Sequence, residues 1–79
     1  MWQQKNKELY RQFDFKDFKQ AFEFMTRVAQ AAEDANHHPR WQNEYNKVEI
    51  WLSTHDAGQI TDKDHHLAQE IDRIFSESH

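Results

Sequence analysis

The chain has 79 residues, no cysteine and a formal net charge of −4 at pH 7. This length predicts one domain spanning residues 1–79, and the absence of cysteine excludes a disulfide framework, a zinc ribbon and a thiol nucleophile. With no basic block there is no electrostatic footprint for nucleic acid, and no apolar run is long enough to span a membrane.

Charged residues make up 30% of the chain, yet aromatics reach 14%, with six Phe and three Trp. Such aromatic content argues for a packed core and against disorder. One Gly and one Pro leave no stretch that reads as a flexible linker. The opening "MWQQKNKELYRQ" lacks the apolar centre of a signal peptide, which points to a cytoplasmic protein. A core this small supplies only a few kcal/mol of net stability, so burial against further copies, as a homodimer or homotetramer, is expected.

The first element expected is a β-hairpin. A short extended piece precedes the turn-like Lys5-Asn6-Lys7, after which Leu9, Arg11 and Phe13 alternate with Tyr10, Gln12 and Asp14. A long helix follows. Phe15, Phe18, Phe22, Met25, Ala29 and Ala32 recur at spacings of three and four and predict one apolar stripe. Asp14 or Asp17 suits its N-cap. Pro39 disfavours helical geometry just before it, so the helix should end near Asn36.

From Trp41 the period changes to two. Val48, Ile50, Leu52 and Thr54 share one face; Lys47, Glu49, Trp51 and Ser53 share the other. Tyr45-Asn46-Lys47 serves as the tight turn of a second hairpin, and "DAGQ" is a loop. A second helix begins at Thr61, with Asp64 completing a capping-box pattern. Leu67, Ala68, Ile71, Ile74 and Phe75 form its buried stripe. The order ββαββα implies an α+β fold, a four-stranded antiparallel sheet with α-helices packed on one face.

The chemistry concentrates around "HHP". Glu33 lies one helical turn before His37, at the edge of the predicted apolar stripe, and His38 and Pro39 follow directly. His55 closes the last strand, and a helix C-terminus and a strand end can meet at one rim of such a sheet. Three imidazoles with a carboxylate nearby would then share one pocket. Imidazole both gives and takes protons near neutrality, and neighbouring rings discourage each other's protonation. That suits a dehydration, which needs an acid for the leaving hydroxyl and a base for a neighbouring proton.

Plainer readings exist for each residue. A His-His pair is commonly just a helix end, His55 a strand-end surface residue, Asp64 a cap, and Trp41 a core or interface aromatic. His65, His66 and His79 read as solvent-facing, without a role. Neighbouring histidines rarely ligate one ion together, and no two histidines have i,i+4 spacing, which argues against a metal centre.

Taken in order, Glu33, His37-His38-Pro39, Trp41, Tyr45, "STH" at 53–55, Gly58 and Asp64 resemble the pattern of the pterin-4a-carbinolamine dehydratase family. The upstream "LYRQFDFKDFKQAFEFMTRVA" is also similar, so the resemblance covers nearly all of residues 2–75. It implies a four-stranded antiparallel sheet with helices on one face. It also implies dehydration of 4a-hydroxytetrahydropterin to quinonoid dihydropterin, with no cofactor or metal, in the recycling served by pterin-dependent aromatic amino-acid hydroxylases.

By position, His37, His38 and His55 take the acid/base roles, with His37 and His55 as the main proton-transfer pair and His38 positioning the pterin. Pro39 and the segment Thr54, His55, Asp56 and Ala57 take pterin contacts; Glu33, Trp41 and Asp64 support the site. Two departures stand out. The family's usual N-terminal helix is absent before the first strand, and Gln59 sits where many relatives carry a second glycine, where a positive φ would strain it. Some animal members also act as dimerisation cofactors of a transcription factor. The alternative is therefore a non-catalytic interaction module, with Trp51 and Tyr10 as a surface patch.

Overall fold

A computed structural model describes residues 1–77; His79 lies outside the described residues. Six elements follow in the expected order: β1 (Gln3–Lys5), β2 (Glu8–Asp14), α1 (Phe18–Ala35), β3 (Arg40–Glu44), β4 (Lys47–Leu52) and α2 (Asp62–Glu77). The strands form one antiparallel sheet in the order β1-β2-β4-β3. The two hairpins are thus joined through β2 and β4, the central pair.

The turns follow from local chemistry. Asn6 opens the first hairpin at φ 57, a left-handed conformation that asparagine tolerates. Tyr45 turns the second at φ 52, and the Asn43 amide braces it by donating to the Tyr45 and Lys47 carbonyls. Asn46 binds Phe15 at both backbone groups, donating its side-chain amide to the carbonyl and accepting the Phe15 N–H. This ties the second hairpin to the start of α1, where Asp17 caps the helix by accepting from the Gln20 N–H.

The strict alternation of β4 is realised. Val48, Ile50 and Leu52 are buried towards the helices, while Lys47, Glu49 and Trp51 stay half-buried on the open face. Phe13, Phe15, Phe24 and Phe75 form a knot of edge-to-face and tilted rings between sheet and helices. Ring pairs of this kind add about 0.5–1.5 kcal/mol each beyond their area. Arg11 lies over Phe13 and Phe75 and pairs with Asp72, which also accepts from the Trp2 indole.

The buried stripe of α1 differs from the expected one. Ala21, Phe24, Val28 and Ala32 face the core, whereas Phe18 and Phe22 are 47% and 54% exposed and Ala29 is also exposed. The apolar residues of α1 span about half its circumference, so two overlapping stripes exist a quarter turn apart. The sheet takes the one with small residues, because Ala21, Val28 and Ala32 let the helix approach closely.

Candidate active site

The chain separates His37 from His38 at Asn36. This residue ends α1 in the left-handed region, at φ 51 and ψ 43. Its N–H reaches the Glu33 carbonyl at 3.1 Å and the His37 N–H reaches Ala32 at 3.0 Å, the reverse-turn closure known as the Schellman motif. The terminus therefore comes from Asn36 itself, three residues before Pro39.

His37 turns inward. Its Nε2 lies 2.6 Å from Asp64 Oδ1, and its side chain is 12% exposed. Asp64 is the buried charge of the core region, with no exposed surface. Its Oδ2 accepts the Thr61 N–H at 2.9 Å and the Thr54 hydroxyl at 2.8 Å. Because the Thr54 proton goes to Asp64, the 2.6 Å contact between Thr54 and Thr61 runs from the Thr61 hydroxyl to the Thr54 oxygen. Asp64 caps α2 as expected and also gathers β4's exit and the end of α1 into one polar knot.

Burial pushes the Asp64 carboxyl up, but donation from His37, the Thr61 N–H and Thr54 outweighs it and holds the group below its ordinary value. The carboxylate is then only an acceptor, so His37 donates to it through Nε2–H.

His38 turns outward. Its Nε2 meets Glu33 Oε1 at 2.9 Å, with side chains 60% and 75% exposed. Glu33 is thus not at the edge of the buried stripe, and it pairs with His38, not His37; the quarter-turn shift of the α1 core face accounts for this. His55 stands exposed in the turn 54–59, which is closed by Thr54–Gln59 pairing and by Gly58 N–H donating to Thr54 O at 2.9 Å. Gly58 takes the positive φ of 64 there, and Gln59 does not adopt one, so the strain anticipated at Gln59 does not arise.

A cavity of about 210 Å³ joins these parts. His38, Pro39 and Arg40 line it from the start of β3, and Trp51, Ser53 and His55 from the end of β4, with Glu8 across from them on β2. A larger groove of about 420 Å³ runs between α1 and α2, with His37, Lys63, His66 and Glu70 in its walls. His38 and His55 therefore share one cavity, while His37 lines the other groove. Asp64 connects the two through Thr54, the residue before His55.

Trp41 pairs with Ile50 in register and packs against the core on the helix side, away from the cavity lining. Asp56 and Ala57 lie exposed in the turn. Glu8, Arg40, Trp51 and Ser53 enter the cavity unanticipated. Strand register carries the signal: Trp51 stands opposite Arg40, directly beside Pro39. Among the described residues no group of three or more His, Asp or Glu side chains is arranged to hold a metal ion, and no helix is long and apolar enough to cross a membrane.

The structure is thus a two-layer α+β scaffold with an imidazole-lined cavity at a strand end. The comparisons give the family. The chain matches the family described as pterin 4 alpha carbinolamine dehydratase over residues 1–74. A protein of Prochlorococcus marinus strain MIT 9215, provisionally named pterin-4-alpha-carbinolamine dehydratase, is 51% identical over 76 residues, covering 96% of this chain and 79% of that one. One of the same provisional name from Rhodospirillum rubrum is 58% identical over 66 residues, 84% of this chain and 69% of its own. The solved transcriptional coactivator/pterin dehydratase from Brucella melitensis superposes with a TM-score of 0.90 at 40% identity, covering 92% of this chain and 80% of that one. A pterin dehydratase-like protein identified as a RuBisCO assembly factor in the alpha-carboxysome shares the fold at a TM-score of 0.78 and 21% identity, over 95% and 87% of the two chains. The chain belongs to the pterin carbinolamine dehydratase family.

Proposed function

We propose that the protein dehydrates 4a-hydroxytetrahydropterin to quinonoid dihydropterin by histidine general acid–base catalysis, in the cytoplasm and in service of a pterin-dependent hydroxylase. The observation that carries this reading is the cavity shared by His38 and His55, joined through Thr54 and Asp64 to His37. Its volume, about 210 Å³, lies below the roughly 300–1,000 Å³ of clefts for drug-sized ligands and suits a small bicyclic ring.

One imidazolium protonates the 4a-hydroxyl, which leaves as water, and one neutral imidazole removes the N5 proton. The electron pair of the N5–H bond becomes the new double bond to C4a, so the product is the quinonoid dihydropterin, with no oxidant or reductant. His37 and His55 are the proton-transfer pair in this scheme: His55, whose ring has no side-chain hydrogen-bond partner among the described residues, meets the pterin inside the cavity, and His37, with its tautomer fixed by Asp64, approaches it from the groove that it lines. His38, held by Glu33 beside Pro39, positions the ring.

The test is the dehydration rate of carbinolamine generated in situ by a hydroxylase. His37→Ala and His55→Ala should each lower the rate by about 100- to 10,000-fold in folded protein, with His38→Ala acting mainly on KM. An intact protein that does not accelerate the reaction would leave the family scaffold as a binding module.

Self-association belongs to the same reading. The exposed Phe18 and Phe22 stack at 5.7 Å on the outer side of α1, with Lys16 and Lys19 near one end of the helix and Glu33 and Asp34 near the other. A second copy packed antiparallel would cover the rings and match these charges. A stable monomer in light scattering at micromolar concentration would refute that assembly.

A further inference from the structure

One side of the His38–His55 cavity has no role in the acid–base scheme. Glu8, Arg40 and Trp51 form it, and they are held together more tightly than surface residues need be. Arg40 and Trp51 are cross-strand partners, and the guanidinium carbon sits 4.3 Å from the centre of the indole. Arg40 also donates to Glu8 Oε1 at 2.8 Å. Behind Trp51 stands Tyr10 at 5.2 Å, itself fixed by donating to Glu49 at 2.6 Å. This row crosses β2, β4 and β3 on the helix-free face of the sheet.

Two binding features remain open in the row. The guanidinium is covered by indole on one face, and its side chain is still 61% exposed, which leaves a flat cationic surface beside the cavity. Planar guanidinium stacks on aromatic faces in a way that a lysine ammonium does not. The second oxygen of the Glu8 carboxylate, Oε2, has no hydrogen-bond partner among the described residues, since Arg40 takes Oε1. A lone carboxylate oxygen next to a planar cation suits a flat heterocycle with an amino-bearing donor edge.

We infer that Glu8, Arg40 and Trp51 are the ring-recognition wall of this cavity: Glu8 accepts from the 2-amino and N3–H edge of the pterin, and Arg40, backed by Trp51, stacks on its face. The inference rests on the proposed pterin chemistry and adds the residues that select the ring. It gives each residue a separate signature. Loss of Glu8 removes discrimination between rings with and without the amino group, because a carboxylate built to accept that hydrogen bond rejects the analogue lacking it. Loss of the guanidinium plane weakens every flat ring alike.

The experiment is a fluorescence titration of the full chain with 7,8-dihydropterin and with its 2-oxo analogue, alongside dehydration kinetics. Intact protein should prefer the 2-amino ring by at least about tenfold, as expected for a hydrogen bond to a charged group. Glu8→Gln and Glu8→Ala should bring that ratio close to one. Arg40→Lys, which keeps the charge and loses the plane, should raise Kd and KM for both rings while kcat stays within about twofold. Trp51→Leu should do the same. Unchanged discrimination in both Glu8 variants, or an Arg40→Lys protein that binds like the intact one, would overturn the wall while dehydration by the intact protein still stood. Failure of the intact protein to bind either ring, or to dehydrate the carbinolamine, would overturn the pterin reading and the wall together.

Discussion

His37 and His38 are consecutive residues of one type in opposite surroundings. The His37 side chain is 12% exposed and held by a carboxylate with no exposed surface, while His38 is 60% exposed and paired with a carboxylate that is 75% exposed. Asn36 makes the difference, because its left-handed conformation ends α1 just before the pair. A motif of two adjacent histidines therefore encodes two tasks. One ring is fixed from inside the fold and the other is presented at its surface. That division is most exposed to test where removing a partner costs most.

The deepest test is Asp64. It accepts from His37, Thr54 and Thr61, so Asp64→Ala strands three part-buried donors around a fully covered carboxylate position. Leaving a hydrogen-bond donor without its partner costs about 1–3 kcal/mol, and here three donors lose theirs together. Urea unfolding should show a loss of that order for Asp64→Ala and less for Asp64→Asn, which retains a carbonyl acceptor. If Asp64→Ala were no worse than a surface substitution, the interior character of His37 would be wrong.

Acid titration sharpens the same contrast. The Asp64 carboxyl is held below its ordinary value in the folded chain, despite burial, by His37 and the two threonines. A depressed folded value stabilises the fold fully above the unfolded value of about 3.9. That stabilisation is lost as pH falls through the lower folded value. The stability gap between intact protein and Asp64→Asn should therefore stay level from neutral pH down to about 5 and close below about 4. A gap that closed between pH 8 and 6 would assign the stabilisation to some other group.

Much of this architecture could be read from the residues, and the parts that could not share a cause. The alternation of Val48, Ile50 and Leu52, the Asp17 and Asp64 caps and the end of α1 depend on neighbours in sequence, and each appears as expected. The core face of α1 depends on what packs against it. Phe18 and Phe22 dominate the pattern by size, yet the sheet selects the smaller Ala21, Val28 and Ala32. The cavity wall follows the same rule. The alternation of β4 already put Trp51 on the open face, but only strand register sets it beside Arg40 at the cavity and sets Trp41 against Ile50 on the core side. The Asp64–His37 contact spans 27 positions and has no local signature.

Asn36 tests the device that separates the two rings. Its φ of 51 suits glycine or asparagine and strains other side chains. Asn36→Ala should cost about 1 kcal/mol in thermal or urea unfolding, and Asn36→Gly should stay within about 0.5 kcal/mol of the intact protein. Equal losses for the two would mean that the asparagine side chain, and not the backbone conformation, holds the helix end.

The smallest effect belongs to the outer ring. Glu33 and His38 meet at 2.9 Å in water, an ion pair only when the imidazole is protonated; exposed pairs of this kind contribute about 0–1 kcal/mol and salt screens them. Glu33→Gln should leave unfolding almost unchanged. If the proposed pterin chemistry holds, its consequence is on KM, a rise of no more than a few fold at low salt that fades as ionic strength increases. If Glu33→Gln destabilised the fold as strongly as Asp64→Asn, the surface character of His38 would be lost, and the two histidines would be parts of one interior network.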